Sequence, residues 1–363
     1  MKGKKEKSKL LRRILCAALA LGIAAFMIFG TVMSAFADSG DELPLAKDTK
    51  EDKPEELLFS KSGILYEATT DQVLFEQNAD VEAPMASMTK VMTAVVVLDQ
   101  NPELEGEFTV SGTEGLAKYY SVTDEGALKP GEVISFYECM KDLLIPSANE
   151  AADALAVEVG GSISGFVDMM NAKAKELGME HTHYSDPSGL TGVDHYTTPR
   201  DMLTLCRYAM TFEKFREIVS QKGGALPTNE LRKTPAKYET TDLIMNPPDD
   251  RYASPYSPYI KGIKTGSTNA AGYCFSGYME KDGYVYYSVV MGGKEVQYDE
   301  SRKVLGDFID TIRLYNLTEG FDGKAPASSG SGLNFTPDNT RIGLVIALIV
   351  LYGVWTAERR KKS

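Results

Sequence analysis

The four residues Ser87-Met88-Thr89-Lys90 are followed by a stretch from Val91 to Leu98 that is almost entirely apolar. A helix without a polar face is typically buried on all sides, so this stretch predicts a helix inside the domain. Residues three apart share one face of a helix, so the Ser87 hydroxyl and the Lys90 amine are expected to meet at its start. The alternative, a serine and a lysine exposed at the surface, is not favoured by the apolar residues that follow.

A serine hydroxyl becomes a good nucleophile only when a base removes its proton, and Lys90 can be that base only when it is neutral. Lowering a lysine pKa from about 10.4 to about 7 costs the charged form roughly 4 kcal/mol. Burial in the apolar helix is expected to supply part of this shift, and repulsion from a second cation, Lys264, is expected to supply more. We therefore predict that Ser87 is a nucleophile and Lys90 its general base.

A second motif, Ser147-Ala148-Asn149, follows an apolar run that ends at Pro146 and precedes a helical pattern that begins near Glu150. Serine and asparagine are favoured N-cap residues, so one interpretation is purely structural. The chemical interpretation is that the Ser147 hydroxyl relays protons and the Asn149 amide holds an amide of the substrate. We expect both, because a turn before a helix also orients these side chains.

A third motif, Lys264-Thr265-Gly266, leads into strand-like segments. A strand edge can bind an extended peptide through main-chain hydrogen bonds, and Gly266 lets that peptide approach closely. We expect Lys264 and Thr265 to hold a terminal carboxylate of the substrate. The backbone N–H groups of Ser87 and Ser267 are expected to form the oxyanion hole.

The pattern around these motifs predicts strands at both ends of one domain and helices between them. Four segments are expected to form two hairpins: residues 64–66 with 73–75, and residues 272–278 with 284–290. Asp282-Gly283 is the turn of the second hairpin, helical spacing runs from Phe136 to Leu177, and a last helix is expected over about residues 300–315. We expect a mixed α/β fold of the α+β type over residues 57–317, with an antiparallel sheet covered by helices and a helical subdomain.

The composition argues against several functions. The chain has 39 basic and 51 acidic residues and a net charge of −12, and the part between its two basic ends is more acidic still. A nucleic-acid partner is therefore not expected. With only three histidines and no ligand-like spacing, neither a metal site nor a cofactor is expected.

Three cysteines, Cys139, Cys206 and Cys274, lie outside the N-terminal apolar segment. Cys274 falls in a strand pattern and is expected to be a small buried side chain. A disulfide between Cys139 and Cys206 stays an alternative that we do not favour, because sequence spacing does not fix connectivity.

The N-terminus has the features of an export signal. Residues 1–37 are expected to be a signal peptide, with a basic start, an apolar run from Ile14 to Met33 and the cleavage sequence Ala35-Phe36-Ala37. Because the apolar run is long, an uncleaved anchor stays open as an alternative. An acidic spacer over residues 38–56 is expected to lead into the domain.

The C-terminus predicts attachment to a membrane. A flexible linker over residues 318–340 is expected to precede a transmembrane anchor over residues 341–363, because Ile342 to Ala357 carry no charge and a basic tail follows. The basic tail places the C-terminus in the cytoplasm and the domain outside it. A cell-wall sorting signal would look similar, but no Leu-Pro-x-Thr-Gly sequence precedes the apolar run.

Taken together, the motifs resemble the serine-type D-alanyl-D-alanine carboxypeptidases of peptidase family S11, the low-molecular-weight penicillin-binding proteins. The resemblance covers about residues 58–317 and rests on five segments: Met85–Lys90, Leu144–Ala152, Lys175–Met179, Asp186–Leu190 and Lys264–Cys274. It implies a β-lactamase/transpeptidase-like fold, acylation of Ser87 with loss of a terminal D-alanine, and hydrolysis of the acyl-enzyme. It also implies peptidoglycan stem peptides as substrates and acylation by β-lactam antibiotics. For the source of the chain we expect a bacterium of the Gram-positive type.

The chain departs from the family pattern in three ways. Ala148 stands where members often have glycine, and residues 294–298 lack the arginine that in many members helps to bind the carboxylate. Some relatives also have a β-rich second domain before the anchor, where this chain has only the linker.

Two rival functions share the same motifs. A class A β-lactamase would need a Glu-x-x-Leu-Asn element, and none lies between Asn149 and Lys264. A non-catalytic β-lactam sensor or scaffold would usually have more cytoplasmic sequence than the short basic tail. The third stem residue, a vegetative or sporulation role and the oligomeric state stay open.

Overall fold

The computed structural model describes residues 58–111, 127–190, 193–299 and 301–323 of the chain. The predicted signal peptide, acidic spacer and transmembrane anchor lie outside these residues, as does the linker beyond residue 323. Within the described ranges, no helix combines the length and the apolar character that crossing a bilayer requires.

Strands at both ends of the domain enclose a series of helices, as the sequence pattern predicted. In chain order the described elements are β1 (Ser62–Glu67), β2 (Gln72–Gln77), a 3₁₀ turn (Ala86–Thr89), α1 (Lys90–Gln100), β3 (Glu107–Thr109), β4 (Val133–Ser135), α2 (Phe136–Leu144), α3 (Asn149–Gly160), α4 (Ile163–Glu176), α5 (Pro199–Ala209), α6 (Glu213–Val219), β5 (Gly223–Leu226), β6 (Ala236–Glu239), β7 (Ile260–Thr268), β8 (Gly272–Lys281), β9 (Tyr284–Gly293), β10 (Glu295–Gln297), β11 (Lys303–Leu305) and α7 (Gly306–Asn316).

A five-stranded antiparallel sheet with the order β2-β1-β9-β8-β7 is the centre of the domain. Both predicted hairpins are confirmed, and the pairing of β1 with β9 joins the first and last parts of the domain. Asp282 and Gly283, which connect β8 to β9, both have positive φ angles of 55° and 85°. Two such residues are typical of a type I′ turn, whose twist matches that of the strands it joins. The strand with the third motif, β7, therefore lies at one edge of the sheet.

Apolar side chains alternate between the two faces of the sheet and form two cores. On β1, Ile64 belongs to the core beneath α1 and α5, whereas Leu65 belongs to the core beneath α7. In the second core the rings of Phe275 and Phe308 lie 5.2 Å apart between centroids. The result is a three-layer arrangement with helices on both faces of the sheet.

Helix α1 is buried on all sides, which confirms the prediction from its apolar sequence. Every residue from Lys90 to Leu98 is buried, and α1 contacts α2, α3, α4 and α5. Burial of each valine or leucine contributes about 1.5–3 kcal/mol relative to exposure, so the helix is anchored firmly despite its polar first residue. The predicted helical region from Phe136 to Leu177 is confirmed as α2, α3 and α4, of which α2 and α4 are N-capped by Ser135 and Ser162.

The domain differs from the prediction at its C-terminal end. The last helix begins at Gly306 rather than near residue 300, because residues 303–305 form β11 and pair with β10. The packed domain also continues past residue 317: Thr318 is buried, and the ring of Phe321 lies 5.0 Å from that of Tyr284 between centroids. Thr318 and Phe321, which our sequence analysis placed in the linker, therefore pack with the domain.

The three described cysteines are free thiols. Cys139, Cys206 and Cys274 are all buried and unpaired by disulfides, so the Cys139–Cys206 bridge that we did not favour is absent. Cys274 has no exposed surface and lies in β8, which confirms its role as a small core side chain.

Candidate active site

The nucleophile candidate Ser87 lies in the 3₁₀ turn that precedes α1. The turn is tight because Ala86 has a positive φ angle of 48°, and its carbonyl oxygen accepts a hydrogen bond of 2.7 Å from the Thr89 hydroxyl. This geometry brings Lys90 Nζ to 2.9 Å from Ser87 Oγ. The two groups that the sequence paired are therefore within hydrogen-bond distance.

The Lys90 amine is fully buried and has three polar neighbours. Besides Ser87 Oγ, Nζ lies 2.8 Å from Asn149 Oδ1 and 2.8 Å from the carbonyl oxygen of Ser188. Both of those oxygens can only accept hydrogen bonds. A neutral amine has two N–H groups, so it can donate one to each of these oxygens and direct its lone pair at the Ser87 hydroxyl. This is the arrangement that a general base requires.

Burial also favours the neutral form of this amine. Desolvation lowers the pKa of Lys90 to about 7, against the opposing attraction of nearby carboxylates, chiefly Asp186 and Glu150. Burial and repulsion by Lys90 lower the pKa of Lys264. Repulsion between two cations is mutual, so the nearby Lys264 opposes the charged form of Lys90 as well.

The second motif forms the loop between α2 and α3, on another side of Lys90. Its expected N-cap role is wrong: α3 begins at Asn149, the cap position is Ala148, and no side chain caps the helix. The Asn149 side chain instead accepts a hydrogen bond from Lys90. Ser147 is nearly buried and has a positive φ angle of 68°, a conformation that costs a non-glycine residue roughly 1–2 kcal/mol. Strain of this kind often marks a functional residue.

The third motif lies on β7, directly against the nucleophile turn. A Cβ atom on Gly266 would lie 2.7 Å from the Met85 carbonyl oxygen and 3.2 Å from the Ser87 nitrogen, so only glycine allows this approach. Lys264 is buried, and its Nζ lies 3.1 Å from the carbonyl oxygen of Thr265. Thr265 is half-buried and Ser267 is exposed, so both face the open side of the site.

A loop that our sequence analysis used only for the family resemblance, residues 186–190, completes the surroundings of Lys90. One oxygen of Asp186 accepts hydrogen bonds from the backbone N–H groups of Ser188 and Gly189, at 2.7 and 2.6 Å. Gly189 has a φ angle of 88°, and a Cβ atom there would lie 2.0 Å from the Ala86 carbonyl oxygen. The Asp-Pro-Ser-Gly sequence is a recognisable turn signal, but nothing in it indicates that a carbonyl of this turn contacts a lysine.

The sequence analysis did not identify His195 as part of the site. This residue contacts the nucleophile turn through the Thr89 hydroxyl. The backbone N–H of Ser185 donates to Nδ1 at 3.0 Å, so the other ring nitrogen, Nε2, carries the proton in the neutral ring. Nε2 then donates to the Thr89 hydroxyl at 2.7 Å, which itself donates to the carbonyl of Ala86. Burial lowers the pKa of His195, which keeps the ring neutral.

A cavity of about 270 Å³ opens beside the nucleophile turn. Its lining comes from the turn, from the loop over residues 186–190 and from the end of β7: Pro84, Ala86, Gly189, Leu190, His195, Thr268, Asn269 and Ala270. Among the residues that the structure describes, no lysine, arginine, aspartate or glutamate lines this cavity. A cavity of this character suits an uncharged stretch of peptide.

A serine and a lysine one turn apart, at the start of a buried helix that faces the edge strand of an antiparallel sheet, define a class of serine acyl-transfer enzymes. Penicillin-binding proteins and class A β-lactamases belong to this class. The profile of the D-alanyl-D-alanine carboxypeptidase family, peptidase family S11, matches residues 48–295, which is more than half of the chain. The protein therefore belongs to this family.

Relatives with similar sequences agree with this assignment. The chain is 29% identical over 268 residues to the D-alanyl-D-alanine carboxypeptidase DacF of Bacillus subtilis, covering 73% of this chain and 64% of that protein. It is 31% identical over 219 residues to a D-alanyl-D-alanine endopeptidase of Pseudomonas aeruginosa, covering 60% of this chain and 66% of that protein. The chain thus spans less than two thirds of the length of these two relatives.

A solved structure confirms the predicted fold. The crystal structure of penicillin-binding protein D2 from Listeria monocytogenes, in its ampicillin-bound form, matches with a TM-score of 0.55 and 28% sequence identity. The match covers 73% of this chain and 99% of that chain. The antiparallel sheet covered by helices is therefore the β-lactamase/transpeptidase fold expected from the motifs.

Proposed function

We propose that the protein is a serine DD-carboxypeptidase that removes the terminal D-alanine from peptidoglycan stem pentapeptides through an acyl-enzyme on Ser87. One observation carries the proposal: the buried Lys90 amine has two acceptors for its two N–H groups and the Ser87 hydroxyl as its third neighbour. Membership of the carboxypeptidase family supports the choice of substrate.

In the acylation step Lys90 Nζ takes the proton of the Ser87 hydroxyl while Oγ attacks the carbonyl carbon between the two D-alanines. The oxyanion that forms is stabilised by the backbone N–H groups of Ser87 and Ser267. The proton then passes to the leaving amine through the Ser147 hydroxyl, the C–N bond breaks, and D-alanine departs. Water then repeats the sequence on the ester, which releases the shortened peptide and restores the serine.

We assign substrate binding to two elements beside Ser87, the second motif with Asn149 and strand β7. Asn149 holds an amide of the stem peptide, and the edge of β7 at Gly266 pairs with its backbone. Lys264 and Thr265 hold the terminal carboxylate. Burial and repulsion by Lys90 lower the pKa of Lys264, so an arriving carboxylate would favour its protonated form and gain an ion pair.

β-lactams are assigned to the same site as substrate mimics. The ring amide is opened by Ser87, and the product stays attached because no leaving group departs from the site. The solved penicillin-binding protein D2 with bound ampicillin supports this part of the proposal, because its fold and 28% of its sequence are shared.

The location of the enzyme is proposed from the sequence at its two ends. Export by residues 1–37 and retention at the cell membrane by residues 341–363 would place the domain outside the cytoplasm, where peptidoglycan is found. Cell-wall substrates are consistent with the family to which the chain belongs.

An endopeptidase that cuts cross-links is a second candidate, because the similar protein from Pseudomonas aeruginosa carries that name. The two functions differ in whether the group leaving from Ser87 is free D-alanine or a D-amino acid attached to a second stem. Incubation with a stem pentapeptide and with a cross-linked stem dimer, followed by mass spectrometry, separates them. Release of D-alanine from the pentapeptide by the wild type, and none by Ser87→Ala, is the expected result; cleavage of the dimer alone would favour the endopeptidase.

A further inference from the structure

His195 begins a chain of hydrogen bonds that ends at the backbone of the nucleophile turn. The backbone N–H of Ser185 is a fixed donor, so Nδ1 of the neutral ring accepts it at 3.0 Å and the ring proton is on Nε2. Nε2 therefore donates to the Thr89 hydroxyl at 2.7 Å. That hydroxyl donates its only proton to the carbonyl oxygen of Ala86, also at 2.7 Å. The direction of every bond in the chain thus follows from one backbone donor.

The ring has to be neutral for this chain to exist, because a protonated Nδ1 cannot accept a hydrogen bond. Two titratable groups act on the ring: Asp186, whose Oδ2 lies 3.7 Å from Nδ1, favours the charged form, and His183 opposes it. Burial is the largest effect, and the pKa of His195 is lowered. The neutral ring is therefore the main form at neutral pH.

The chain ends on a peptide unit that takes part in the proposed reaction. The carbonyl of Ala86 and the backbone N–H of Ser87 belong to the same planar unit, and the proposed mechanism uses this N–H to stabilise the oxyanion. A hydrogen bond accepted by the carbonyl polarises the unit and strengthens its N–H as a donor, since linked hydrogen bonds reinforce one another by about 10–30% each. The chain therefore reaches the oxyanion donor through the backbone.

His195 has a role in this chain that Thr89 alone does not supply. A hydroxyl rotates freely and can either donate or accept, so its direction depends on its partners. Because Nε2–H donates to the Thr89 oxygen, the hydroxyl proton is left to the carbonyl of Ala86. Ala86 has a positive φ angle of 48°, and strained backbone of this kind persists only where neighbouring groups fix it. All three residues are buried, so water does not readily replace these bonds.

We propose that His195 is a positioning residue for the oxyanion hole, which fixes and polarises the Ala86–Ser87 peptide unit through the Thr89 hydroxyl. The proposal rests on the proposed function, because it concerns how the same serine is acylated. Removal of a whole oxyanion donor slows enzymes about 10²- to 10³-fold. Here the donor stays in place and is only weakened, so we expect a loss of about tenfold. The loss belongs to the chemical step and not to the binding of the ligand.

The test follows acylation of Ser87 by a penicillin, whose ring carbonyl forms the same kind of oxyanion. His195→Leu removes the donor, His195→Gln keeps a side-chain N–H group, and Thr89→Val removes the hydroxyl. A double variant combines His195→Leu with Thr89→Val. Thr204→Val is the matched control, because the Thr204 hydroxyl also donates to a backbone carbonyl of its own helix, that of Arg200 at 3.1 Å.

Two measurements separate a role in the oxyanion hole from a role in folding. Rapid-mixing kinetics give the dissociation constant of the penicillin and the acylation rate constant separately. Infrared spectroscopy of the acyl-enzyme gives the stretching frequency of the ester carbonyl, which rises when the hydrogen bonds to its oxygen weaken. A purely structural role of His195 would change Tm without changing this frequency.

The expected result is acylation about tenfold slower in His195→Leu and in Thr89→Val, with an unchanged dissociation constant and a raised carbonyl frequency. The double variant should be about as slow as the slower single variant, since both changes break one chain. His195→Gln should recover most of the rate, and Thr204→Val should match the wild type.

Three results would overturn the role of His195: a wild-type acylation rate in His195→Leu, an unshifted carbonyl frequency, or losses that multiply in the double variant. If His195→Leu does not fold, His195→Asn replaces it, because asparagine keeps an acceptor for the N–H of Ser185 but is too short to donate to Thr89. A wild type that penicillin does not acylate at Ser87 would instead count against the proposed function itself.

Discussion

The pH dependence of acylation tests the assignment of Lys90 most directly. Its pKa of about 7 means that the neutral, basic form is the minority species in mildly acidic solution and dominates in mildly alkaline solution. Roughly one tenth of the amine is neutral at about pH 6 and roughly nine tenths at about pH 8, so the acylation rate constant should rise about tenfold between them. The measurement is the second-order rate constant for labelling of Ser87 by a fluorescent penicillin.

Substitution of a carboxylate near Lys90 is a second test of the same pKa assignment. Attraction by Asp153 raises the pKa of Lys90, and Asp153 itself has a pKa raised to about 7 by burial, so both groups titrate over the same range. Asp153→Asn removes the attraction, and the midpoint of the pH profile should move to lower pH. Asp168→Asn, on an exposed face of α4, is the control and should leave the midpoint unchanged.

Two results would refute the reasoning. A labelling rate that is flat across this pH range would mean that no group titrating near neutrality is the base. A midpoint that shifts upward in Asp153→Asn would mean that the titrating group is not a cation stabilised by this carboxylate.

Three further changes test the packing around the site. Gly189→Ala should slow acylation and lower Tm, because its Cβ atom would lie 2.0 Å from a carbonyl oxygen of the nucleophile turn; unchanged labelling and Tm would contradict this contact. Arg232→Ala should lower the free energy of unfolding in urea by about 3–5 kcal/mol, since it leaves the buried carboxylate of Glu132, now 2.6 Å from the guanidinium, without its charge partner. Arg302→Ala, which removes a solvent-accessible ion pair with Asp250, should cost much less, and equal losses would argue against the effect of burial. Ser147→Gly should raise the free energy of unfolding by up to about 1 kcal/mol, because glycine adopts the left-handed backbone conformation without strain. The same variant should release D-alanine more slowly, because it lacks the hydroxyl that relays the proton. A less stable but fully active variant would count against both the backbone strain and the proton relay.

The sequence was sufficient to predict the fold because its local signals agree with the packing. The apolar run after Lys90 predicted a buried helix, and the Asp282-Gly283 pair predicted the turn of the second hairpin, since each signal depends only on neighbouring residues. The start of the last helix was placed too early because β11 exists only through its pairing with β10. Such a pairing leaves little trace in a three-residue segment.

The sequence predicted which motif residues lie close together. Ser87 and Lys90 are in contact because helical spacing requires it, and Asn149 reaches the same amine. The partners that the loops contribute were missed: the carbonyl of Ser188 and the ring of His195. A backbone carbonyl has no sequence signature, and both contacts join residues about a hundred positions apart.

The position of the domain's two ends on the sheet has a mechanical consequence. Leu58, the first described residue, donates its N–H to the Gln77 side chain, and Gly323, the last, accepts a hydrogen bond from Gln72, so both ends lie beside β2. Four inter-strand spacings of about 4.8 Å separate β2 from β7, or roughly 19 Å. A pull applied at Leu58 or Gly323 would therefore load the margin of the sheet at β2 and leave the opposite margin, at β7 beside Ser87, without load.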